Sequence, residues 1–214
     1  MRSTLSFSFA ALLICALLPR PATASVTYLV TANTSSISGQ GGYLDLQFEA
    51  GPSPTNLATA SLASFAGNGA LRGSAALTGD VTGQLPGALT FDNQTVFNDY
   101  FQGITFGTTE SFDVTLNGPT PVGGGESAFY VSFYASDQST ALLTVSTGGD
   151  AGQIVINPNG TTTPSTYAAS VNAASALTII LVQPLNTVPE PSELGLFGLT
   201  LSAVLLMFRK ARTR

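Results

Sequence analysis

The sequence contains no histidine and no tryptophan, and its single cysteine, Cys15, lies close to the N-terminus. Without histidine there is no Ser-His-Asp or Cys-His catalytic arrangement, and most zinc hydrolase sites are excluded. No cysteine follows residue 24, so the rest of the chain has neither a disulfide nor a thiol nucleophile. Paired carboxylates are the one catalytic class that this set of residues permits.

Positive charge is almost absent from the middle of the chain. Of the seven Lys and Arg residues, two precede residue 25 and four follow residue 208, which leaves Arg72 alone between them. Ten Asp and Glu residues against this one Arg give residues 25–188 a net charge of −9. Because like charges repel, we expect no binding to nucleic acid or to other polyanions.

Residues 1–24 are typical of a secretory signal peptide. Arg2 precedes an apolar run over residues 5–18, and Ala22-Thr23-Ala24 has the small-residue spacing of a cleavage site. Cleavage after Ala24 would make Ser25 the first residue of the mature chain. The alternative is a retained membrane anchor, but the apolar run is short and prolines follow it.

The last 26 residues, 189–214, have three consecutive parts. A hinge comes first (Pro189, Glu190 and Pro191), residues 194–208 are apolar, and a basic end follows (Arg209, Lys210, Arg212 and Arg214). The apolar part is shorter than the ~20 residues of a typical transmembrane helix. It therefore predicts a marginal, temporary membrane helix with its basic end in the cytoplasm. A buried last helix or strand is the alternative, but four clustered cations argue against it.

This order of hinge, apolar segment and basic end resembles the PEP-CTERM sorting signal, and the likeness covers residues 188–214. The signal occurs on exported proteins of Gram-negative bacteria that make extracellular polysaccharide or biofilm matrix. The resemblance implies export by the secretion machinery, transient anchoring in the inner membrane, and processing near Pro189-Glu190-Pro191 by an exosortase, a membrane cysteine protease. The protein would then reach the cell surface or the extracellular space. Residues 79–83 and 98–101 also resemble exported PEP-CTERM proteins of uncharacterised function, which implies no activity.

Between these ends, residues 25–182 have an all-β composition, and residues 183–188 form a linker. Strong β formers occur in short runs between turn signals, and no stretch sustains a 3.6-residue period. Roughly ten to twelve short strands predict a β-sandwich, of which the jelly roll is one form. The fold class expected for the whole chain is therefore an all-β sandwich with a signal peptide before it and a transmembrane helix after it.

Alternation of apolar and polar residues is clearest at residues 43–48, 110–116 and 127–135. The last two are predicted to form a hairpin, with both apolar faces on one core. Less regular stretches predict a first strand at 26–32 covered on both sides, a Gly-rich loop with Arg72 at 68–74 and a strand at 75–81. An aromatic segment at 97–101 precedes a short strand at 104–106, further strands are predicted at 141–146 and 153–157, and residues 161–166 form a loose segment. Residues 168–182 predict either a final strand at 176–182 or a short helix before it.

Five carboxylates are candidates for the acid pair of a glycosidase: Asp45, Glu49, Glu110, Asp113 and Glu126. Asp45 and Asp113 are predicted to lie mid-strand on a polar face, where a solvated sheet surface is the simpler explanation. The chain has no tryptophan to stack on a sugar and little positive charge. We therefore expect no catalytic residues and no enzyme activity.

Oxygen-bearing side chains near predicted turns are the candidates for a metal site: Asp80, Asp92, Asp99 and Asp150. Calcium takes six to eight oxygen ligands and often binds in such loops. The spacing matches neither an EF-hand nor an RTX repeat, and Asp residues also form turns without any metal. We expect no cofactor, with calcium as the one candidate.

Five aromatic residues are candidates for a platform that stacks on sugar rings: Phe97, Tyr100, Phe101, Tyr130 and Tyr134. Aromatic residues at this density also serve in cores and in cross-strand packing. The first hypothesis is a non-enzymatic exported surface or matrix protein. The second is a module that binds extracellular polysaccharide, either with or without calcium.

Overall fold

The computed structural model describes residues 25–51, 57–118 and 125–184. One short 3-10 helix, Ser35–Ile37, occurs in these ranges, and no helix there is long and apolar enough to cross a membrane. The predicted signal peptide, the predicted cleavage residues Ala22 and Ala24, residues 185–188 of the predicted linker and the predicted sorting segment 189–214 lie outside the described residues. Residues 183 and 184 were predicted to belong to the linker, but they end the last strand. The strands are β1 Ser25–Asn33, β2 Gly41–Ala50, β3 Thr59–Gly67, β4 Ala70–Thr78, β5 Val81–Gly83, β6 Leu89–Asp92, β7 Phe97–Thr105, β8 Thr109–Asn117, β9 Ser127–Ala135, β10 Ala141–Leu142, β11 Asp150–Ile156, β12 Thr162–Thr166 and β13 Leu177–Pro184.

The strands form two antiparallel sheets. One has the order β13-β1-β8-β3-β6-β5. The other has the order β12-β11-β9-β2-β7-β4, with β10 beside β9. These two sheets confirm the prediction of an all-β sandwich.

One hydrophobic core lies between the sheets, because alternate residues of each strand point to it. β2 contributes Leu44, Leu46 and Phe48, all fully buried. Phe91 of β6 meets Phe129 of β9 edge-to-face at a centroid distance of 5.8 Å, and this contact joins the two sheets. The core therefore uses the apolar alternation that was visible in the sequence.

The predicted hairpin of residues 110–116 with 127–135 is wrong. β8 pairs with β1 and β3 in the six-stranded sheet, whereas β9 pairs with β2, β10 and β11 in the other. Both apolar faces do point into the shared core. Alternation identifies which face of a strand is buried, but it does not identify the sheet to which the strand belongs.

Edge strands account for most of the other errors. β4 occupies the predicted Gly-rich loop, so Arg72 lies in a strand, and β12 occupies the segment predicted to be loose. Both lie at edges of the seven-stranded sheet, and β4 has no fully buried side chain. A strand that buries little shows little apolar alternation. β13 agrees with the alternative of a final strand at 176–182 and extends two residues beyond it. β10 and β11 differ in their bounds from the predicted strands. β1 was predicted to be covered on both sides, but it buries one face only.

β7 is one continuous strand and not the two pieces expected around Gly103. Its core-facing side carries Asn98, Tyr100 and Gln102, all buried. The Tyr100 hydroxyl accepts the Leu85 N–H at 2.9 Å and donates to Gln102 Oε1 at 3.1 Å. These partners satisfy the buried polar groups, so a strand with polar residues on its inner face is stable. Tyr100 is thus a core residue and not part of a sugar platform.

Candidate ligand-binding face

The outer side of the seven-stranded sheet gathers acidic and aromatic side chains from four neighbouring strands. Asp45 of β2 lies opposite Phe101 of β7 on one side and Ser132 of β9 on the other. Ser132 in turn lies opposite Asp150 of β11. Side chains two residues apart on a strand share a face, so one group can be defined. We name it the acidic face: Tyr43, Asp45, Gln47, Glu49, Asp99, Phe101, Tyr130, Ser132, Tyr134 and Asp150.

Three aromatic rings surround the position of Asp45. Tyr43 and Phe101 stack with centroids 4.5 Å apart and planes 14° apart. Phe101 and Tyr134 are 6.2 Å apart and tilted by 44°. Tyr43 lies opposite Gly103 in the β2–β7 register, and a glycine there leaves room for the ring of Tyr43 to reach its diagonal neighbour Phe101. The three rings are half-buried and form one apolar surface on an otherwise polar side of the sheet.

Asp45 is the most unusual residue of the acidic face, because its side chain is only 3% exposed. Gln47 Nε2 donates a hydrogen bond of 2.8 Å to Asp45 Oδ2. Among the described residues, no N–H or O–H group donates to Asp45 Oδ1 or to Asp99 Oδ1, and both atoms are buried. The expected solvated sheet surface at Asp45 is therefore wrong.

The carboxyl groups of Asp45 and Asp99 interact directly with each other. Two carboxyl groups make a favourable contact only when one of them carries a proton. Burial and the neighbouring Asp99 raise the pKa of Asp45 to about 9. Burial also raises the pKa of Asp99. A proton shared by the two carboxyl groups is therefore favoured at neutral pH.

Two further carboxylates add negative charge to the same face. Asp150 Oδ1 accepts a hydrogen bond of 3.3 Å from Ser132 Oγ. Burial raises the pKa of Asp150, and burial together with the charge of Asp150 raises the pKa of Glu49. The pKa of the Tyr134 hydroxyl is raised by burial and by Asp45. Negative charge is thus concentrated on this face, where most side chains are half-buried.

A depression of about 420 Å³ lies at one end of the face, next to Tyr43. Its lining residues are Gly42, Tyr43, Arg72, Gly73, Ser74, Gly103 and Ser136. Arg72 lies opposite Gly103 in the β4–β7 register. Arg72, the one cation among the described residues, therefore borders the acidic face without forming part of the carboxyl pair.

The four predicted metal ligands do not come together. Asp99 and Asp150 lie on the acidic face, whereas Asp80 lies between β4 and β5 and Asp92 ends β6. Asp92 accepts the backbone and side-chain N–H groups of Gln94 at 3.0 Å and 2.9 Å, which is a turn-forming role. In the described ranges, no three acidic, histidine or cysteine side chains are grouped so that they could hold a metal ion.

The five glycosidase candidates are distributed over both sheets. Asp45 and Glu49 belong to the acidic face, while Asp113 points away from the core on β8 and Glu126 immediately precedes β9. Glu110 is buried at the start of β8, where its Oε1 accepts the Gly107 N–H at 3.3 Å. Burial raises the pKa of Glu110. No single cleft contains the set.

Sequence reasoning found part of the acidic face. Phe101, Tyr130 and Tyr134 are on it, and Phe97 lies at its margin opposite Glu49. Tyr43 was missed as an aromatic candidate, and the contact between Asp45 and Asp99 was missed entirely. The available signal was the alternation of β2, which places Tyr43 and Asp45 on one side, but the partner strand could not be identified from it.

Comparisons of the chain with protein-family models, with curated proteins and with solved structures find no match.

Proposed function

We propose that the protein is a non-catalytic, exported surface or matrix protein that binds polysaccharide through the acidic face. The observation that carries this proposal is the stack of Tyr43 on Phe101, with Tyr134 beside it, around the buried carboxyl of Asp45. Outward-facing rings of this kind have no core to stabilise, and they offer an apolar surface to a flat ligand.

Sugar rings match both kinds of group on this face. Their C–H faces pack on aromatic rings, and their hydroxyls donate to carboxylate and amide oxygens. Asp99, Gln47 and Asp150 supply such acceptors within one or two residues of the aromatic stack in the strand register. A few polar groups beside an apolar surface are the usual composition of a small-molecule or sugar site.

The nested pairing of strands supports a jelly-roll form of the sandwich. β1 pairs with β8, β2 with β7, and β3 with β6, as expected when a folded-back chain wraps around a core. β9 and β11–β13 then extend both sheets. Lectin domains include jelly rolls, although a shared fold is only an analogy for function.

A neutral polysaccharide is favoured over an acidic one. The charge of −9 over residues 25–188 repels polyanions, and the acidic face concentrates four of the ten carboxylates of that range. Hydroxyl groups carry no charge and can donate to these carboxylates at no electrostatic cost.

A binding role without catalysis is supported by the positions of the carboxylates. The acid pair of a glycosidase is separated by roughly 5 to 9.5 Å, so that the sugar and a water molecule fit between. Asp45 and Asp99 contact each other directly, and the other candidates lie on separate elements.

Export and sorting form the second part of the proposal. Residues 1–24 would direct secretion, and Pro189, Glu190 and Pro191 would be recognised by an exosortase while residues 194–208 hold the chain in the inner membrane. The basic residues Arg209, Lys210, Arg212 and Arg214 support a cytoplasmic end. Intact-mass measurement of the secreted protein tests this. We expect a chain that begins at Ser25 and ends near residue 189, and an unprocessed tail in the secreted protein would contradict sorting.

Affinity electrophoresis of the full chain through gels that contain neutral polysaccharides tests the binding proposal. The variants Tyr43→Ala and Phe101→Ala should each lose about two- to tenfold in affinity, the equivalent of roughly 0.5–1.5 kcal/mol for a lost stacking contact. Phe65→Ala is the matched control, because Phe65 stacks on Phe112 at 6.5 Å in the other sheet. Equal losses in all three variants, or none in the first two, would contradict the assignment of the face.

A further inference from the structure

The contact between Asp45 and Asp99 leaves two buried carboxyl oxygens, one on each residue, without a donor among the described residues. Buried carboxylates in proteins are hydrogen-bonded, protonated or bound to a metal ion. Among the described residues, Gln47 alone donates to the Asp45 carboxyl. The two carboxyl groups therefore need a positively charged partner between them, which is either a proton or a cation.

We propose that Asp45 and Asp99 form a calcium site on the acidic face, with Gln47 as the third protein ligand. The amide oxygen and nitrogen of Gln47 are distinguished by their hydrogen bonds. A half-turn of this amide presents Oε1 where Nε2 now contacts Asp45 Oδ2 at 2.8 Å. Three oxygen-bearing side chains would then converge on one position.

The chemistry of the ligands favours calcium over other metal ions. The described chain offers neither imidazole nor thiolate, so softer transition metals have no preferred ligands there. Calcium accepts six to eight oxygens in irregular arrangements, whereas magnesium demands a near-ideal octahedron. Asp150, whose charge acts on Asp45, strengthens the potential that attracts a divalent cation.

The three protein ligands leave coordination positions open. Two bidentate carboxylates and one amide oxygen supply at most five of the six to eight that calcium takes. Water would fill the remainder in the free protein, and two hydroxyls of a sugar ring would replace water in the complex. This last step rests on the proposed polysaccharide binding, whereas the metal site itself does not.

Thermal unfolding of the full chain at about pH 8, in EDTA and in about 10 mM calcium chloride, tests the site. A Kd of about 0.1 mM, in the range of extracellular calcium modules, predicts a rise in Tm of roughly 5 to 10 °C. No rise in calcium would overturn the proposal.

Variants test whether Asp45 and Asp99 are the residues that bind calcium. Asp45→Asn and Asp99→Asn should each abolish the calcium-dependent rise, while Asp92→Asn, in a turn at the end of β6, should retain it. Terbium luminescence gives an independent signal, because Tyr43 and Tyr134 lie next to the proposed site and should sensitise a bound lanthanide. A calcium effect that survives in both Asp45→Asn and Asp99→Asn would overturn the assignment.

The two proposals can fail separately. A calcium-dependent rise that requires Asp45, combined with no polysaccharide binding in either buffer, supports the metal site and contradicts the proposed function. Polysaccharide binding that is equal in EDTA and in calcium, combined with no rise in Tm, overturns the metal site and leaves the function standing.

Discussion

Replacing Asp45 with Asn should make the protein more stable at neutral and alkaline pH. Burial and Asp99 raise the pKa of Asp45 to about 9, whereas an Asp in an unfolded chain titrates near about 3.9. Between these two values, the folded chain retains a proton that the unfolded chain has released. The free energy of unfolding therefore falls as pH rises through this window. The stabilising contribution of this proton is complete below about pH 4 and is lost by about pH 9.

The magnitude follows from the slope of this linkage. For one retained proton, each pH unit lowers the free energy of unfolding by about 1.4 kcal/mol. A rise from about pH 4 to pH 7 therefore lowers it by at most about 4 kcal/mol. Relaxation of the folded state and the sharing of one proton between two groups make this loss smaller. We therefore expect the free energy of unfolding to fall by about 2 to 4 kcal/mol. Against a typical domain stability of about 5 to 15 kcal/mol, the effect is large.

Asn at position 45 removes the proton but keeps the shape and the hydrogen-bonding atoms. Its amide group can donate to Asp99, and its Oδ1 can accept from Gln47. At about pH 8 the variant should unfold roughly 5 to 15 °C above the wild-type chain, and near about pH 4 the two should agree. The measurement is urea or thermal unfolding in EDTA at a series of pH values, so that no cation replaces the proton.

Asp137 provides a control of opposite sign. Its carboxylate is exposed in the turn after β9, and hydrogen bonds from Thr140 and Ser139 lower its pKa to about 2. Its stabilising effect is present above about pH 4 and is lost as pH falls towards 2. Asp137→Asn should therefore weaken the protein at neutral pH. If the stability of Asp45→Asn depends on pH in the same way as that of the wild-type chain, the shared proton is refuted.

Two further substitutions test the surroundings of the acidic face. Tyr100→Phe removes the hydroxyl that serves both Leu85 and Gln102, and leaving those buried groups unsatisfied should cost about 1 to 3 kcal/mol in urea unfolding; a neutral result would show that water reaches them. Gly149→Ala should lower Tm, since Gly149 has a φ of +92° and a Cβ atom there would lie 2.8 Å from the Tyr134 hydroxyl oxygen; an unchanged Tm would show that this loop adapts freely.

The sequence predicted those strands that bury one face in the core. Residues 127–135 alternate between core and outer side along their whole length, and β9 has these bounds. β4 buries almost no side chain and pairs with β7 through backbone hydrogen bonds. Because its side chains show no apolar alternation, its sequence predicted a loop. In β7, polar residues face the core because Asn98 and Gln102 bind backbone carbonyl groups there, and only the folded structure identifies those partners.

The acidic face was harder to predict, for a reason that concerns register. The alternation of β2 shows that Asp45 and Gln47 share a side, and that of β7 shows the same for Asp99 and Phe101. The pairing of Leu46 with Tyr100, which brings Asp45 and Asp99 together, depends on long-range packing. No local pattern specifies which two strands pair or at which residues. The proton shared by the pair, and the aromatic rings beside it, are consequences of that pairing.

Hydroxyl-radical footprinting of the full chain, with and without a neutral polysaccharide that binds it, shows which face of the sandwich the polysaccharide covers. Binding to the acidic face should reduce the oxidation of Tyr43, Phe101 and Tyr134 in the complex. Phe65, on the other sheet, should be oxidised at an unchanged rate. Binding that leaves the three rings of the acidic face unprotected, or that protects the other sheet in their place, would contradict it.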